Sequence, residues 1–130
     1  IIRKKINEIP YYLIEAKAEP GNPDLVQISP TLQATYSNLS QTHGGRRPHF
    51  SDLFLNPEGN NCKVLFDQLM SEDGGRLFKK RNRGILIEVS SNHDIMLKET
   101  FCWITLFQLK SLIKSSSWVN PHVRSLISHL

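Results

Sequence analysis

Four segments of the chain carry side chains able to do chemistry. In the first, Lys17 and Glu19 stand two residues apart, so on a strand they project from one face about 6.6 Å apart along the chain. They run straight into Pro20-Gly21-Asn22-Pro23, a sharp break of the kind where functional groups gather. A row of solvated ion pairs explains the same charges. In the second, Gln33, Thr35 and Ser37 alternate, with Asn38 beside them. These neutral donors and acceptors suit sugar hydroxyls and phosphate oxygens. His43 follows beside Gly44 and Gly45, on a loop whose backbone can come close to a ligand; the plain alternative is an exposed loop histidine.

The third segment is Lys79-Lys80-Arg81-Asn82-Arg83. On a strand, Lys79, Arg81 and Arg83 share one face and Lys80 and Asn82 the other. Arginine pairs bidentately with phosphate, which makes a diphosphate clamp. A nucleic-acid patch or a solubilising edge strand uses the same residues, although the run lacks aromatic interleaving and any known nucleic-acid module. In the fourth, Trp103 sits just before a helix cap, placed either to stack a base or to pack in the core.

The elements that must hold these groups follow from periodicity. Ile1-Ile2 has the character of mid-strand, which suggests further residues upstream. Tyr11–Glu19 alternates, with Tyr12, Ile14, Ala16 and Ala18 on one face and Leu13, Glu15, Lys17 and Glu19 on the other. A second alternation predicts a strand over Thr31–Ser37. Phe50, Leu53 and Phe54 give one helical turn. Lys63–Met70, with Val64 and Phe66 on one face, and Arg76–Val89 predict an antiparallel hairpin around a Gly-containing turn. Thr105 and Gln108 form a capping box for a helix striped by Leu106, Leu109, Leu112 and Ile113. Asn120-Pro121 starts another, striped by Val123, Leu126, Ile127 and Leu130.

The chain has 130 residues, 39% hydrophobic and 22% charged, with a formal net charge of +4. That suits one domain and a mild attraction for anions, whether a nucleotide diphosphate or nucleic acid. Cys62 and Cys102 are far apart, against a disulfide framework or thiolate zinc site, and two buried reduced thiols are expected. No apolar run approaches the ~20 residues of a membrane span. A metal-dependent Nudix hydrolase needs a glutamate-rich helix, and Glu72-Asp73 is the one adjacent acid pair.

Taken together, Leu13–Asn38, His43-Gly44-Gly45, Ser71–Val89 and Trp103–Leu130 resemble the NDP-hexose 2,3-dehydratases. The pair KAEPGN and SPT-QAT-SN carries most of the specificity. The resemblance implies an α/β (α+β) fold, a Nudix-like mixed β-sheet flanked by helices with two C-terminal helices. It implies a dTDP-4-keto-6-deoxyglucose substrate and loss of water across C2 and C3. It also implies no metal or other cofactor, a homodimer or association with a second module, and a cytoplasmic setting without nucleic-acid or membrane partners. Residues 1–130 then form one partial module, lacking the family's N-terminal portion. Tyr36 and Leu39 stand where the family usually has Arg and Tyr, and Phe107 replaces a usual Gly. The roles implied are Glu19 as base with His43 as its rival, and Lys17 or Asn82 as polariser of the ketone. Lys80 and Arg81 hold the diphosphate, Gln33, Thr35, Ser37 and Asn38 hold hydroxyls, and Trp103 packs near the base. A binding-only module is the alternative to an enzyme.

Overall fold

Ile2–Ile6 (β1) and Ile9–Lys17 (β2) form a hairpin closed by Asn7 and Glu8. Both turn residues have left-handed φ, 49° and 64°, the two-residue turn whose twist matches that of paired strands. The computed structural model describes residues 1–41, 44, 46–71, 77–115 and 117–130. Within them a mixed sheet is completed by Gln27–Pro30 (β3), Lys63–Ser71 (β4), Arg81–Val89 (β5) and Phe101–Thr105 (β6). The helices are Tyr36–Leu39 (α1), Ser51–Leu55 (α2), Leu106–Ile113 (α3) and Pro121–Ile127 (α4).

β2 is the axis. Leu13 pairs with Ile2 of β1 and with Trp103 of β6, so β1 and β6 lie on opposite edges of β2. Ile14 pairs with both Pro30 and Cys102, so β3 lies on the β1 edge, end to end with it. The junction is closed by one hydroxyl. Thr31 Oγ1 accepts from the Ile2 amide at 2.9 Å and donates to the Leu13 carbonyl at 2.5 Å, and its residue is buried. Parallel to β1 runs β5, with β4 antiparallel outside it. On its other edge β3 takes Trp118–Asn120 as a short parallel partner, through Ile28 N to Trp118 O and Asn120 N to Ile28 O. The sheet therefore forks beyond Ile2 and Leu13. One arm is β2 and β3; the other is β5 and β4. α4 lies against both β3 and β5.

Each face has its own core. Tyr12, Leu86, Leu109, Val119, Val123 and Ile127 pack on the side of α3 and α4. Ile2, Leu13, Cys62, Ile87, Val89 and Phe101 pack on the side of α2. The capping box at Thr105 forms as expected: the Gln108 amide donates to Thr105 Oγ1 and Gln108 Oε1 accepts from the Thr105 amide. Asn120 caps α4, accepting from Val123 N at 3.0 Å, with Pro121 at N1.

Several expectations change. The strand predicted over Thr31–Ser37 does not form. β1 already occupies the edge of β2 past Ile14, so the chain must leave the sheet after Pro30. Residues 31–35 are irregular and lead into α1. β5 begins at Arg81; the predicted start at Arg76 and the Gly-containing turn lie outside the described residues, and between them and β5 Lys79 takes a left-handed φ of 55° in a turn closed by Lys80 N to Leu77 O. A register shift between Val64 and Phe66 puts Leu65 with Phe66 against the α3 and α4 side. Val64 thereby moves to the face of Asp67 and away from Phe66. β6 was not foreseen. Cys62 is buried but Cys102 is exposed, and both are free thiols.

Candidate functional site

Side chains alternate across a sheet, and directly paired residues share a face. From the Ile2–Leu13–Ile87 row, two-residue steps along β2 reach Glu15 and Lys17, and steps back along β5 reach Ile85, Arg83 and Arg81. All of these belong to the α2 face and the forked end of the sheet. Glu15 pairs with Ser29 on β3 and with Phe101 on β6; Lys17 pairs with Gln27. Asn120 Nδ2 donates to Ser29 Oγ and to Gln33 Oε1, each at 3.1 Å. Gln33 therefore joins the Glu15–Ser29 row through Asn120. Lys17 stands on the β2–β3 arm and Arg81 on the other arm, on one face, while Gln33 follows β3 and is held by Asn120.

Lys17 Nζ lies 2.6 Å from Glu19 Oε1. Glu19 sits past the end of β2 in a turn closed by Asn22 N to Glu19 O at 3.2 Å. Pro20 and Gly21, with φ +95° at Gly21, give it the form of a type II turn. Asn22 Nδ2 ties the turn to the Lys17 carbonyl. Glu19 also borders a shallow depression of about 610 Å³ shared with Pro20, Asn22 and Asp24; Gln33 and Arg81 lie outside it.

Glu15 is the titratable group set apart here. Burial pushes its carboxyl above the usual glutamate range. Lys17 and Lys98 pull it back, Glu19 pushes it up, and a hydrogen bond with the Thr100 side chain lowers it. Lys98 and Thr100 come from the segment before β6, which meets β2 through Ala16 N to Thr100 O at 2.8 Å. Beyond Phe101 lies His49, its ring centroid 6.2 Å from that of Phe101.

Other candidates are placed differently. Thr35 Oγ1 caps α1, accepting from Asn38 N at 3.3 Å, and is 2.9 Å from Ser37 Oγ. Thr35 thus caps α1, with Ser37 and Asn38 inside the helix rather than in a strand row. Asn82 falls on the opposite face, beside Gly84, where an added Cβ would meet Leu126 of α4. Lys80 lies in the turn before β5. Arg83 is engaged by Asp67, Nε to Oδ1 at 2.7 Å and Nη2 to Oδ2 at 2.5 Å, which holds the Asp67 carboxyl below its usual range. Arg81 is exposed. Trp103 is half-buried among the α2-side core residues. His43 lies outside the described residues. Lys98 and Thr100 had no local signal, and Asn120 was legible only as a helix cap; long-range pairing brings them and Ser29 here. Among the described residues, no three His, Cys, Asp or Glu side chains gather to hold a metal ion. No described helix is long and apolar enough to cross a membrane.

A model of the NDP-hexose 2,3-dehydratase family matches residues 1–130. The chain belongs to this family. It is 38% identical over 130 residues to a dTDP-4-dehydro-6-deoxy-α-D-glucopyranose 2,3-dehydratase of Amycolatopsis orientalis, with 100% of this chain and 27% of the relative covered. It is 40% identical over 128 residues to the Saccharopolyspora spinosa enzyme of the same name, 98% and 26% covered. A third, from Streptomyces violaceoruber, is 36% identical over 130 residues, with 100% and 29% covered. The chain thus spans between a quarter and a third of these relatives' length. Among solved structures, C. elegans Ap4A hydrolase superposes with a TM-score of 0.48 at 12% identity, over 98% of this chain and 89% of that one. A likeness that loose carries no argument. In this member of the NDP-hexose 2,3-dehydratases, the α2 face at the fork is where charge, neutral donors and a carboxyl raised by burial coincide.

Proposed function

We propose that this protein takes part in 2,3-dehydration of dTDP-4-keto-6-deoxyglucose. The single observation that supports the reading most is the family match over the whole chain; the charged and polar groups of the α2 face agree with it. The C4 ketone acidifies the C3 hydrogen. A carboxylate of the β2 row takes that proton, Glu19 being the candidate from spacing. Lys17, with three N–H donors, stabilises the enolate oxygen. Hydroxide leaves C2, and the resulting enol tautomerises to a 3,4-diketo-2,6-dideoxy sugar. Arg81 holds the diphosphate from the other arm, and Gln33 meets a sugar hydroxyl. The protein works in the cytoplasm as a homodimer or beside a second module.

The test is to offer dTDP-4-keto-6-deoxyglucose to the native protein and follow binding and product by mass spectrometry. Turnover to a product lighter by one water is expected. Binding without turnover would select the binding-only module, and no binding at all would end the proposal.

A further inference from the structure

We infer that Asn120 is a positioning residue for substrate recognition: it holds the Gln33 carboxamide with its oxygen inward, so that Gln33 meets the nucleotide sugar as a hydrogen-bond donor. This rests on the dehydratase reading. The two ends of a carboxamide have nearly the same outline, and here a chain of bonds tells them apart. It starts at the Val123 amide, which can only donate. The Asn120 atom 3.0 Å from it is therefore the oxygen Oδ1. The other end of Asn120 is then the NH2 group, whose two hydrogens go to Ser29 Oγ and to Gln33, each at 3.1 Å. The Gln33 atom that faces this N–H must accept, so it is Oε1, and the NH2 group of Gln33 is the end left for a ligand.

The fold makes this hold rigid. Asn120 and Ser29 are both buried. Val119 pairs with Ile28 and packs on the α3 and α4 side, so the next residue, Asn120, turns to the opposite face, that of Ser29. The Asn120 amide donates to the Ile28 carbonyl at 3.0 Å, and its carbonyl accepts from the Arg124 amide at 3.2 Å. With the cap and the two side-chain bonds, every polar atom of Asn120 has a partner. Gln33 itself is exposed, midway along the irregular stretch between β3 and α1. Thr31 is pinned in the β1–β3 junction and Thr35 caps α1. The stretch is thus fastened at both ends by hydroxyls and in its middle by Asn120.

An exposed glutamine ordinarily loses rotamer freedom when a ligand orders it. Gln33 is ordered beforehand, by a buried group that no ligand needs to touch, and binding is stronger by that saving. A glutamine free to turn over serves donating and accepting groups alike. Gln33, held by its oxygen, offers two N–H donors, which suit an accepting oxygen of the nucleotide sugar.

The experiment measures the affinity of the native protein and three variants for dTDP-4-keto-6-deoxyglucose and for dTDP by isothermal titration. Gln33→Met keeps the length of the side chain and removes its donors, at an exposed position where the fold does not depend on it. It is expected to bind the sugar nucleotide about 3–10-fold more weakly, the range of one hydrogen bond. Asn120→Asp keeps an oxygen for the Val123 amide, and aspartate caps helices as well as asparagine, but it has no N–H for Gln33. Gln33 then turns its NH2 inward and its oxygen outward, and affinity falls by about 10–100-fold. Added to Gln33→Met, Asn120→Asp is expected to cost less than twofold more, because it acts through Gln33; damage to the fold would cost the same in both backgrounds. Loss confined to the sugar nucleotide puts the accepting oxygen on the hexose, and equal loss toward dTDP puts it on the diphosphate; either supports the inference. Gln33→Met within twofold of the native protein, or Asn120→Asp equally costly with and without Gln33→Met, overturns the inference alone. Native protein that does not bind the sugar nucleotide overturns the dehydratase reading, and this inference with it.

Discussion

Lys17 has three N–H donors and gives one to Glu19 at 2.6 Å, which leaves donors for a ligand and fixes the direction they point. Arg81 is the counterpart on the other arm, exposed where Arg83 is already engaged by Asp67. Arg81→Ala is expected to weaken dTDP binding by about 10–100-fold, the range of one charge-assisted hydrogen-bonding group. Isothermal titration with dTDP checks it, and affinity unchanged within twofold would remove Arg81 from the site. Arg83→Ala should act through the β4–β5 pair instead, lowering stability with little effect on affinity. The alternation of β2 made Lys17, Glu19 and Glu15 legible as one row before any coordinates. The chemistry of Glu15 was not legible, because its burial comes from β3 and β6, which reach it across long stretches of chain. Thr35 and Ser37 alternate just as well, yet the Thr35 hydroxyl caps a helix and Ser37 lies within it.

At the scale of elements, the meeting of β1 and β3 on one edge of β2 depends on Thr31. Its hydroxyl serves a buried amide and a buried carbonyl together. Thr31→Val keeps the shape and leaves both groups without a partner, at about 1–3 kcal/mol for each. A loss of roughly 2–5 kcal/mol in urea unfolding is expected, with Thr31→Ser nearer wild type. Equal stability of the Val and Ser variants would show that the junction does not need the hydroxyl. The same feature explains the failed strand prediction. Periodicity over Thr31–Ser37 describes side chains, while the available pairing edge is decided by β1, thirty residues earlier. β6 was overlooked for a different reason. Its five residues, Phe-Cys-Trp-Ile-Thr, favour a strand, but they abut the capping box, whose signal is stronger. The caps themselves were legible because they are local: Thr105 with Gln108, and Asn120 with Pro121.

At the scale of the whole molecule, the Ile1 nitrogen donates to the Ile85 carbonyl at 2.8 Å and the Ile87 amide donates to the Ile1 carbonyl at 3.1 Å, so the β1–β5 pairing extends through Ile1.

The placement of Arg81 on the face of Lys17 also belongs to this scale, since it passes through the register of β1 with both β2 and β5, and no local pattern encodes it. α4 adds a consequence of its own. Val123 and Ile127 are buried where the helix lies against both arms, on the side of the sheet away from Lys17 and Arg81. On the proposed reading, in which one ligand touches both arms, the oily side chains of this helix set the span that ligand needs without ever meeting it, as a shim sets the opening of a pair of jaws.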